Sequence, residues 1–526
     1  MTALPRPPQL DARLEAAYAH FRDSHLAEAA ALLRTLIEED PECGEALEGL
    51  AYIAGRQGDP DAAAGYFERA LACLPATAAR WHDAGLANQA AGRHARALAC
   101  FNEALALSPH AVATLHAAAH SASEADDHER AARLLATVRD LQPRAWQSHY
   151  NLGRALGLAG RYDEEIAAYR RAIELDPKAV VVYINLGVAL RDLRQFDEAL
   201  RVFKKAVQLD PDHPGARTNR AQTNLLLGQF EHGWREYEWR WKDGEQVLPA
   251  WPNPWRGESP VAGKTVLVFN EQGFGDTLQF VRYVDALSAR GARVVLRVQD
   301  PLLALLSGYP GAAEVIGESE PLPPFELHCP LLSLPFALGA HRAPIPADVP
   351  YLRADAAKRA RWRQRLAASA QGLRIGIAWS GNTGNIAGRH RSISLEAWQP
   401  VFDAAATRAT FVSLVKDVRP EDIPLLRNAP VLDVSEELDT FAETAALIAE
   451  LDLVISIDTA VAHLAGALGL PVWVLLSYAP DWRWGLERAD TPWYPSARLI
   501  RQPARGEWIS VMKTVRDALD AFAEAR

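Results

Sequence analysis

Cysteine is scarce in this chain. Cys43, Cys73, Cys100 and Cys329 are the four among 526 residues, and none stands in a CxxC pair or at a Cys/His ligand spacing. That excludes a disulfide framework and a zinc motif, and a reducing, cytoplasmic setting is the expectation. A basic excess is missing as well: 56 Lys and Arg against 66 Asp and Glu give a net charge of −10, so nucleic acid is not expected as the main partner. The long apolar stretch 451–476 is broken by Asp452, Asp458, His463 and Pro471, and residues 1–10 lack a basic segment leading into an apolar one. Neither a membrane span nor export is expected. The DxD triplet Asp210-Pro211-Asp212 falls at the boundary of a repeat and reads as a turn, so no metal site is expected there.

What is present is a composition of 49% hydrophobic and 23% charged residues, suited to three or four domains with sizeable cores. Pro41, Pro75, Pro109, Pro143, Pro177 and Pro211 recur at an interval of 34 residues, the length of a tetratricopeptide repeat. In the same register a small residue recurs in the first helix of each unit (Ala17, Ala51, Gly85, Ala119, Gly153, Gly187). The second helix carries Ala29, Ala63, Ala97, Ala131, Glu165 and Ala199, each followed four residues later by a bulky one: Leu33, Phe67, Phe101, Leu135, Tyr169 and Phe203. Small residues allow two helices to approach and bulky ones fill the groove; Glu165 alone departs. Residues 9–211 are identified as members of the tetratricopeptide family. A seventh unit with Asn219, Leu225, Trp234, Tyr237, Trp239 and Trp241 lacks the closing proline and reads as the cap, so the all-α superhelix is expected over 9–242. Such arrays bind peptides or partner helices on their concave face. Asn151, Asn185 and Asn219 recur at the repeat spacing and resemble the asparagine ladder of tetratricopeptide-bearing protein O-glycosyltransferases. The resemblance implies hydrogen bonds to an acceptor backbone; the alternative is an asparagine common at this repeat position.

Residues 243–263, rich in Pro, Gly and Trp, read as a linker. Beyond it the pattern becomes α/β. Strands are expected at 265–269, 293–298, 313–316 and 326–329, with one amphipathic helix over 278–290, forming a first Rossmann-like unit at 264–353. A second, at 354–526, has strands at 373–379, 410–415, 453–457 and 471–476, helices at 395–406 and 440–450, and a final helix over 507–525 expected to pack back on the first unit. Asp458 and Thr459 fall where a helix N-cap belongs, at the end of a strand buried on both faces, a place that attracts phosphate. The bland reading is a cap only, with His463 a satisfied buried histidine.

Gly273-Phe274-Gly275-Asp276 resembles the glycine-aspartate loop of the ADP-heptose:lipopolysaccharide heptosyltransferases of glycosyltransferase family 9. Asp458-Thr459-Ala460-Val461-Ala462-His463 resembles their Asp-Thr-Gly-Leu-x-His donor turn, with Ala460 where they have glycine. Trp379-Ser380-Gly381-Asn382 with Arg389-His390-Arg391-Ser392 takes the place of the loop that holds the donor diphosphate. The resemblance covers about 264–520 and implies a GT-B fold of two Rossmann-like units, metal-independent, inverting transfer and a nucleotide-sugar donor bound by Ser380, Asn382, Arg391, Ser392, Lys416, Asp458, Thr459 and His463. The whole arrangement looks like bacterial proteins that fuse such a domain to tetratricopeptide repeats, flagellin glycosyltransferases among them. That implies a protein acceptor modified on Ser or Thr, flagellin first, with a CMP-activated nonulosonic acid the donor in some relatives.

Transfer of this kind needs a base for the acceptor hydroxyl and positive potential for the departing phosphate. Asp276, offered by the turn of Gly273 and Gly275, is the expected base, its burial required to lift its pKa; a plain helix cap is the competing reading. Trp482 and Trp484 either stack on donor base or sugar, or pack. Two rivals stand: a lipopolysaccharide or other glycan acceptor, and a repeat scaffold whose transferase domain is inactive.

Overall fold

The computed structural model describes residues 8–242, 244, 247–339, 345–368, 372–381, 388 and 391–524. Two compact units divide the chain between Leu190 and Arg191.

The first unit is a run of antiparallel helix hairpins, beginning with Pro8–Arg22 and Leu26–Glu39 and continuing through Trp146–Leu158 and Tyr162–Leu175. The recurring small residues are buried against the bulky ones of the same hairpin. A Cβ on Gly153 would lie 2.6 Å from the Tyr169 ring, and Gly85 faces the Phe101 ring in the same way. The bulky residue therefore fills the crossing within its own repeat, where its neighbour can give no ground. Glu165, the one departure from the small-residue rule, sits opposite Gly157: a Cβ there would come 2.5 Å from the Glu165 carboxylate, so a glycine on the facing helix supplies the room that alanine supplies elsewhere.

The second unit starts with Phe196–Leu209, the hairpin Pro214–Leu226 and Phe230–Tyr237, and a 3-10 turn at Glu238–Lys242. Two parallel sheets follow. The first contains β1 (Thr265–Phe269), β2 (Arg293–Val298), β3 (Glu314–Gly317) and β4 (Leu327–Pro330) in the order β3-β2-β1-β4. The second contains β5 (Leu373–Ala378), β6 (Ala409–Ser413), β7 (Val431–Leu432), β8 (Leu453–Ile457), β9 (Val472–Leu476) and β10 (Ala497–Arg501) in the order β10-β9-β8-β5-β6-β7. All strand pairs among the described residues are parallel, and β8 and β9, buried along their whole length, carry Ser456 as their one polar residue, as strands covered on both faces do. The strand order reverses beside β1 in one sheet and between β5 and β8 in the other. Those reversals open crevices at the carboxyl ends of the strands, the places where parallel sheets bind ligands. One hydrophobic core joins the cap residues Leu225, Trp234 and Tyr237 to both sheets.

Several expectations are corrected. Residues 247–263 are no free linker: Trp255 is buried, its backbone N–H donates to the His328 carbonyl at 2.8 Å, and Trp251 packs edge-on to Phe269 and His328, since a tryptophan left in water forfeits its large apolar surface. The helix expected over 278–290 is two, Phe274–Phe280 and Tyr283–Ser288. Between them the Arg282 guanidinium donates to the carbonyls of Gln279, Pro346 and Trp493 at 2.7–2.8 Å and to the Tyr351 hydroxyl at 2.7 Å, which fixes the chain there. The helix 395–406 opens as a 3-10 turn, Leu395–Trp398. The final helix, Trp508–Glu524, packs on Gln399–Ala405 and β10 of the second sheet rather than on the first, its Phe522 edge-on to Trp473. Among the described residues no helix is long and apolar enough to cross a membrane.

Candidate functional site

A cleft of about 1570 Å³ lies at the carboxyl ends of β1, β5, β6 and β8. It is lined by Gly273, Gly275 and Asp276 from the turn after β1, Ser380 and Arg391 from the segment after β5, Lys416 from that after β6, and Asp458, Thr459 and His463 from the turn and helix after β8.

The turn after β1 enters Phe274–Phe280 with Gly273 at the N-cap, and the Asp276 carboxylate accepts the Gly273 N–H at 2.9 Å through Oδ2. The cap reading and the cleft reading thus describe the same residue: one oxygen closes the turn. The other accepts from Arg483 Nη2. Burial pushes the Asp276 carboxyl above the ordinary aspartate value, with Arg483 opposing. Gly275 is where this turn meets the other sheet, for a Cβ there would lie 2.8 Å from His463 Cδ2. At Gly273 the nearest atom to such a Cβ is Asp276 Oδ2, 3.4 Å away.

After β8, Thr459 is the N-cap of Ala460–Ala467 but spends its hydroxyl on Ser456 Oγ at 3.0 Å rather than on the helix N–H groups. Thr459, Ala460 and Val461, the first residues of this helix start, line the cleft, and N–H groups at a helix start favour negative charge. His463 shares a hydrogen bond from Nδ1 with the Tyr494 hydroxyl at 2.9 Å and stacks on Trp484, and its Nε2 lies 3.8 Å from Asp458 Oδ1. Burial, reinforced by Arg483, Arg282 and Arg391, holds the imidazole well below its usual pKa, so it is neutral. Asp458 is pushed the other way: burial first, then repulsion by Asp481, raise it from 3.8 to about 6.

This shift has a sign that can be measured. A carboxyl whose folded pKa lies above its unfolded one favours the folded state at low pH, and that contribution is lost as the pH rises through about 6. At about 1.4 kcal/mol per pKa unit, Asp458→Asn is expected to stabilise the fold by ~2–3 kcal/mol at pH 8, with the gain shrinking toward zero near pH 4. Denaturant melts at the two pH values check this; a variant less stable than wild type at pH 8 contradicts it.

The remaining expected donor residues fall unevenly. Ser380 is buried and its hydroxyl has no hydrogen-bond partner among the described residues; the same holds for Nε of Arg391, and both residues line the cleft. Trp379 anchors this segment by donating its indole N–H to Asp422 at 2.9 Å. Lys416 is exposed at the rim and donates to the Asp439 carbonyl at 3.2 Å. Ser392 does not line the cleft: its hydroxyl donates to the Gly388 carbonyl at 2.8 Å and closes a turn. Asn382, with Arg389 and His390, lies outside the described residues. Trp482 and Trp484 are buried packing residues, Trp482 against Trp234 and Trp493 and Trp484 against His463, and neither lines the cleft. On the repeats, the Asn185 amide donates to the Tyr150 hydroxyl at 2.7 Å. The Asn219 amide donates to the Gly215 carbonyl at 2.9 Å and its oxygen accepts from Arg191 at 3.2 Å. Asn151 is half-buried.

Sequence reasoning gave no role to Arg483, which contacts Asp276, or to the cap residues that hold the Asn270–Asp276 turn: Tyr237 pairs with Gln272 at 3.0 Å, and Arg240 makes a two-pronged pair with Glu271 at 2.7 Å. Among the described residues no group of three His, Cys, Asp or Glu side chains is placed to hold a metal ion.

Residues 14–78 and 116–180 match one tetratricopeptide repeat family, and residues 180–213 match a second. Residues 434–516, which contain Asp458, Thr459, His463 and Arg483, match glycosyltransferase family 9 (heptosyltransferase). Protein FlbA of Caulobacter vibrioides is 27% identical over 331 residues, 58% of this chain and 54% of that protein; the chain thus spans about half the length of this curated relative. Among solved structures, MamA (41-end) of Desulfovibrio magneticus RS-1 is 20% identical with a TM-score of 0.30, over 32% of this chain and 95% of its own. The C-terminal part of a TPR repeat-containing protein of Cytophaga hutchinsonii is 12% identical with a TM-score of 0.38, over 44% and 96%. The chain joins tetratricopeptide repeats to a glycosyltransferase family 9 domain.

Proposed function

We propose that the chain is a protein O-glycosyltransferase: it moves a sugar from a nucleotide donor to a Ser or Thr hydroxyl of a protein recruited by the repeats, with flagellin the proposed acceptor and the cytoplasm the proposed site of action. The observation that carries this is the meeting, in one cleft at the reversal points of two parallel sheets, of a half-buried Asp276, its pKa raised, with Ser380, Arg391, Lys416 and the helix that starts after Thr459. The two sheets take the roles of a GT-B enzyme, acceptor side first and donor side second.

In the reaction, the Asp276 carboxylate takes the acceptor hydroxyl proton as that oxygen attacks the anomeric carbon. The bond from that carbon to the donor phosphate breaks, and the phosphate leaves with the electron pair. Arg391, Lys416 and the N–H groups at the start of Ala460–Ala467 receive the leaving charge, so the transfer needs no metal for that purpose. One displacement inverts the anomeric centre. Asp458 accepts hydrogen bonds from sugar hydroxyls, and neutral His463 fixes the turn. The rise in the Asp276 pKa serves the base, since a carboxyl near 3.9 takes a proton from an alcohol poorly. Asn151, Asn185 and Asn219 are the proposed acceptor contacts on the array.

Incubation of the full chain with CMP-, UDP-, GDP-, ADP- and dTDP-sugars, a CMP-activated nonulosonic acid among them, tests the donor half of this reading. Saturable binding of at least one nucleotide sugar is expected, with nucleotide released when an acceptor protein is added; binding of none overturns it.

A further inference from the structure

Asp481 and the short turn Trp482–Trp484 follow β9; Trp482 buries the segment against the helix Phe274–Phe280 and the repeat cap, and Trp484 packs on His463 and Tyr494. Between them Arg483, only 8% exposed, spreads its guanidinium over three fixed acceptors. Nη2 donates to Asp276 Oδ1, Nε to Gln279 Oε1 at 2.8 Å, and Nη1 to Asp481 Oδ1 at 2.8 Å. The Trp482 ring backs the guanidinium at 4.4 Å. Asp276 is held from its other side by the Gly273 N–H, so a carboxylate carried by the first sheet is oriented by a cation carried by the second.

We propose that Arg483 is the positioning residue of the cleft: it fixes the Asp276 carboxylate, ionised and in one orientation, across the junction of the two sheets. A buried carboxylate without a partner gives up its charge or its place. The planar fork of arginine can hold Asp276, Gln279 and Asp481 together, which the single ammonium of lysine cannot. The other titratable or charged groups around Asp276 are Asp481 on the same segment, Arg391 after β5, Tyr237 on the cap, and His463 with Asp458 across Gly275. None of them is hydrogen-bonded to Asp276; Arg483 is.

The catalytic consequence rests on the transferase reading, but the contact itself can be tested without a substrate. Thermal unfolding of the full chain, of Arg483→Gln, of Asp276→Asn and of the double variant is followed from pH 5 to pH 8. Arg483→Gln is expected to lower Tm more at pH 8 than at pH 5, because an unpaired carboxylate at position 276, its pKa raised by burial, carries more charge at the higher pH. Asp276→Asn should offset part of that loss at pH 8. Single effects that simply add at both pH values overturn the proposal. With any nucleotide sugar that the wild type turns over, Arg483→Lys is expected to keep KM for the donor while lowering kcat at least roughly tenfold, and to move the acid limb of the kcat profile to higher pH. A lysine variant with wild-type kcat and pH profile also overturns it. If the wild type turns over none, the transferase reading fails, and the pH-dependent coupling still decides whether Arg483 holds Asp276.

Discussion

Replacing Arg240 by alanine is expected to cost the C-terminal unit about 3–5 kcal/mol of stability, the range for breaking a buried ion pair from one side. The cost arises from what remains. Glu271, with 1% of its side chain exposed, would keep only the Leu332 N–H at 2.9 Å. Glu238 and Ser333, which also accept from Arg240 at 3.0 and 2.8 Å, would lose a donor. Burial already pushes the Glu271 carboxyl up, and Arg240 is the main force pulling it back down. Denaturant unfolding measures the loss. Adding Glu271→Gln to Arg240→Met should recover part of it, because the buried charge that creates the penalty is gone. A loss near that of an exposed pair, at most about 1 kcal/mol, contradicts the account. The effect reaches function because Glu271, in the turn that ends in Asp276, lines the cleft: Arg240, on the cap of the repeats, holds Glu271 in place, and a chain cut after that cap loses the support of its own base.

Asp276→Asn is expected to lower kcat by about 10²–10⁴, the usual worth of a positioned general base. Donor binding should change little, because the base acts on the acceptor proton and does so only as the transition state forms. Asparagine keeps the shape and can still accept the Gly273 N–H, so lost activity reports lost basicity rather than a lost turn. Donor Kd and single-turnover sugar transfer, measured side by side, separate the two. Undiminished transfer removes Asp276 from the base role and leaves it as the helix cap that it also is. In the wild type, the raised Asp276 pKa places the acid limb of the rate profile above the ordinary carboxylate range, activity falling as the pH drops through it.

Much of this was legible in the residues. The repeats were read from a fixed interval, and the central strands β1, β2, β5, β8 and β9 from short runs rich in aliphatic residues, because strands covered on both faces carry few polar ones. Edge strands were harder. β7 is two residues long, and β10, Ala-Arg-Leu-Ile-Arg, mixes an exposed and a half-buried arginine into its apolar run. The turns bearing Asp276 and Asp458 could be found because glycine, aspartate and threonine announce a helix start. Arg483 could not: its contact with Asp276 joins residues 207 apart in the chain, and no spacing encodes that. The tryptophans beside it left two readings open for a related reason, since an aromatic cluster in a Pro-containing loop has the same composition whether it faces a ligand or, as here, Trp234 and His463. Ser392 sat in the right loop and turned its hydroxyl inward to a backbone carbonyl.

The most direct test of the central claim is the intact mass of a protein captured by the repeat array, flagellin being tried first, from cells that make the activated sugar and carry either the wild-type chain or Asp276→Ala. A sugar-sized increment present with wild type and absent with the variant is the predicted result. Equal masses in the two, with the donor demonstrated in both, would contradict it.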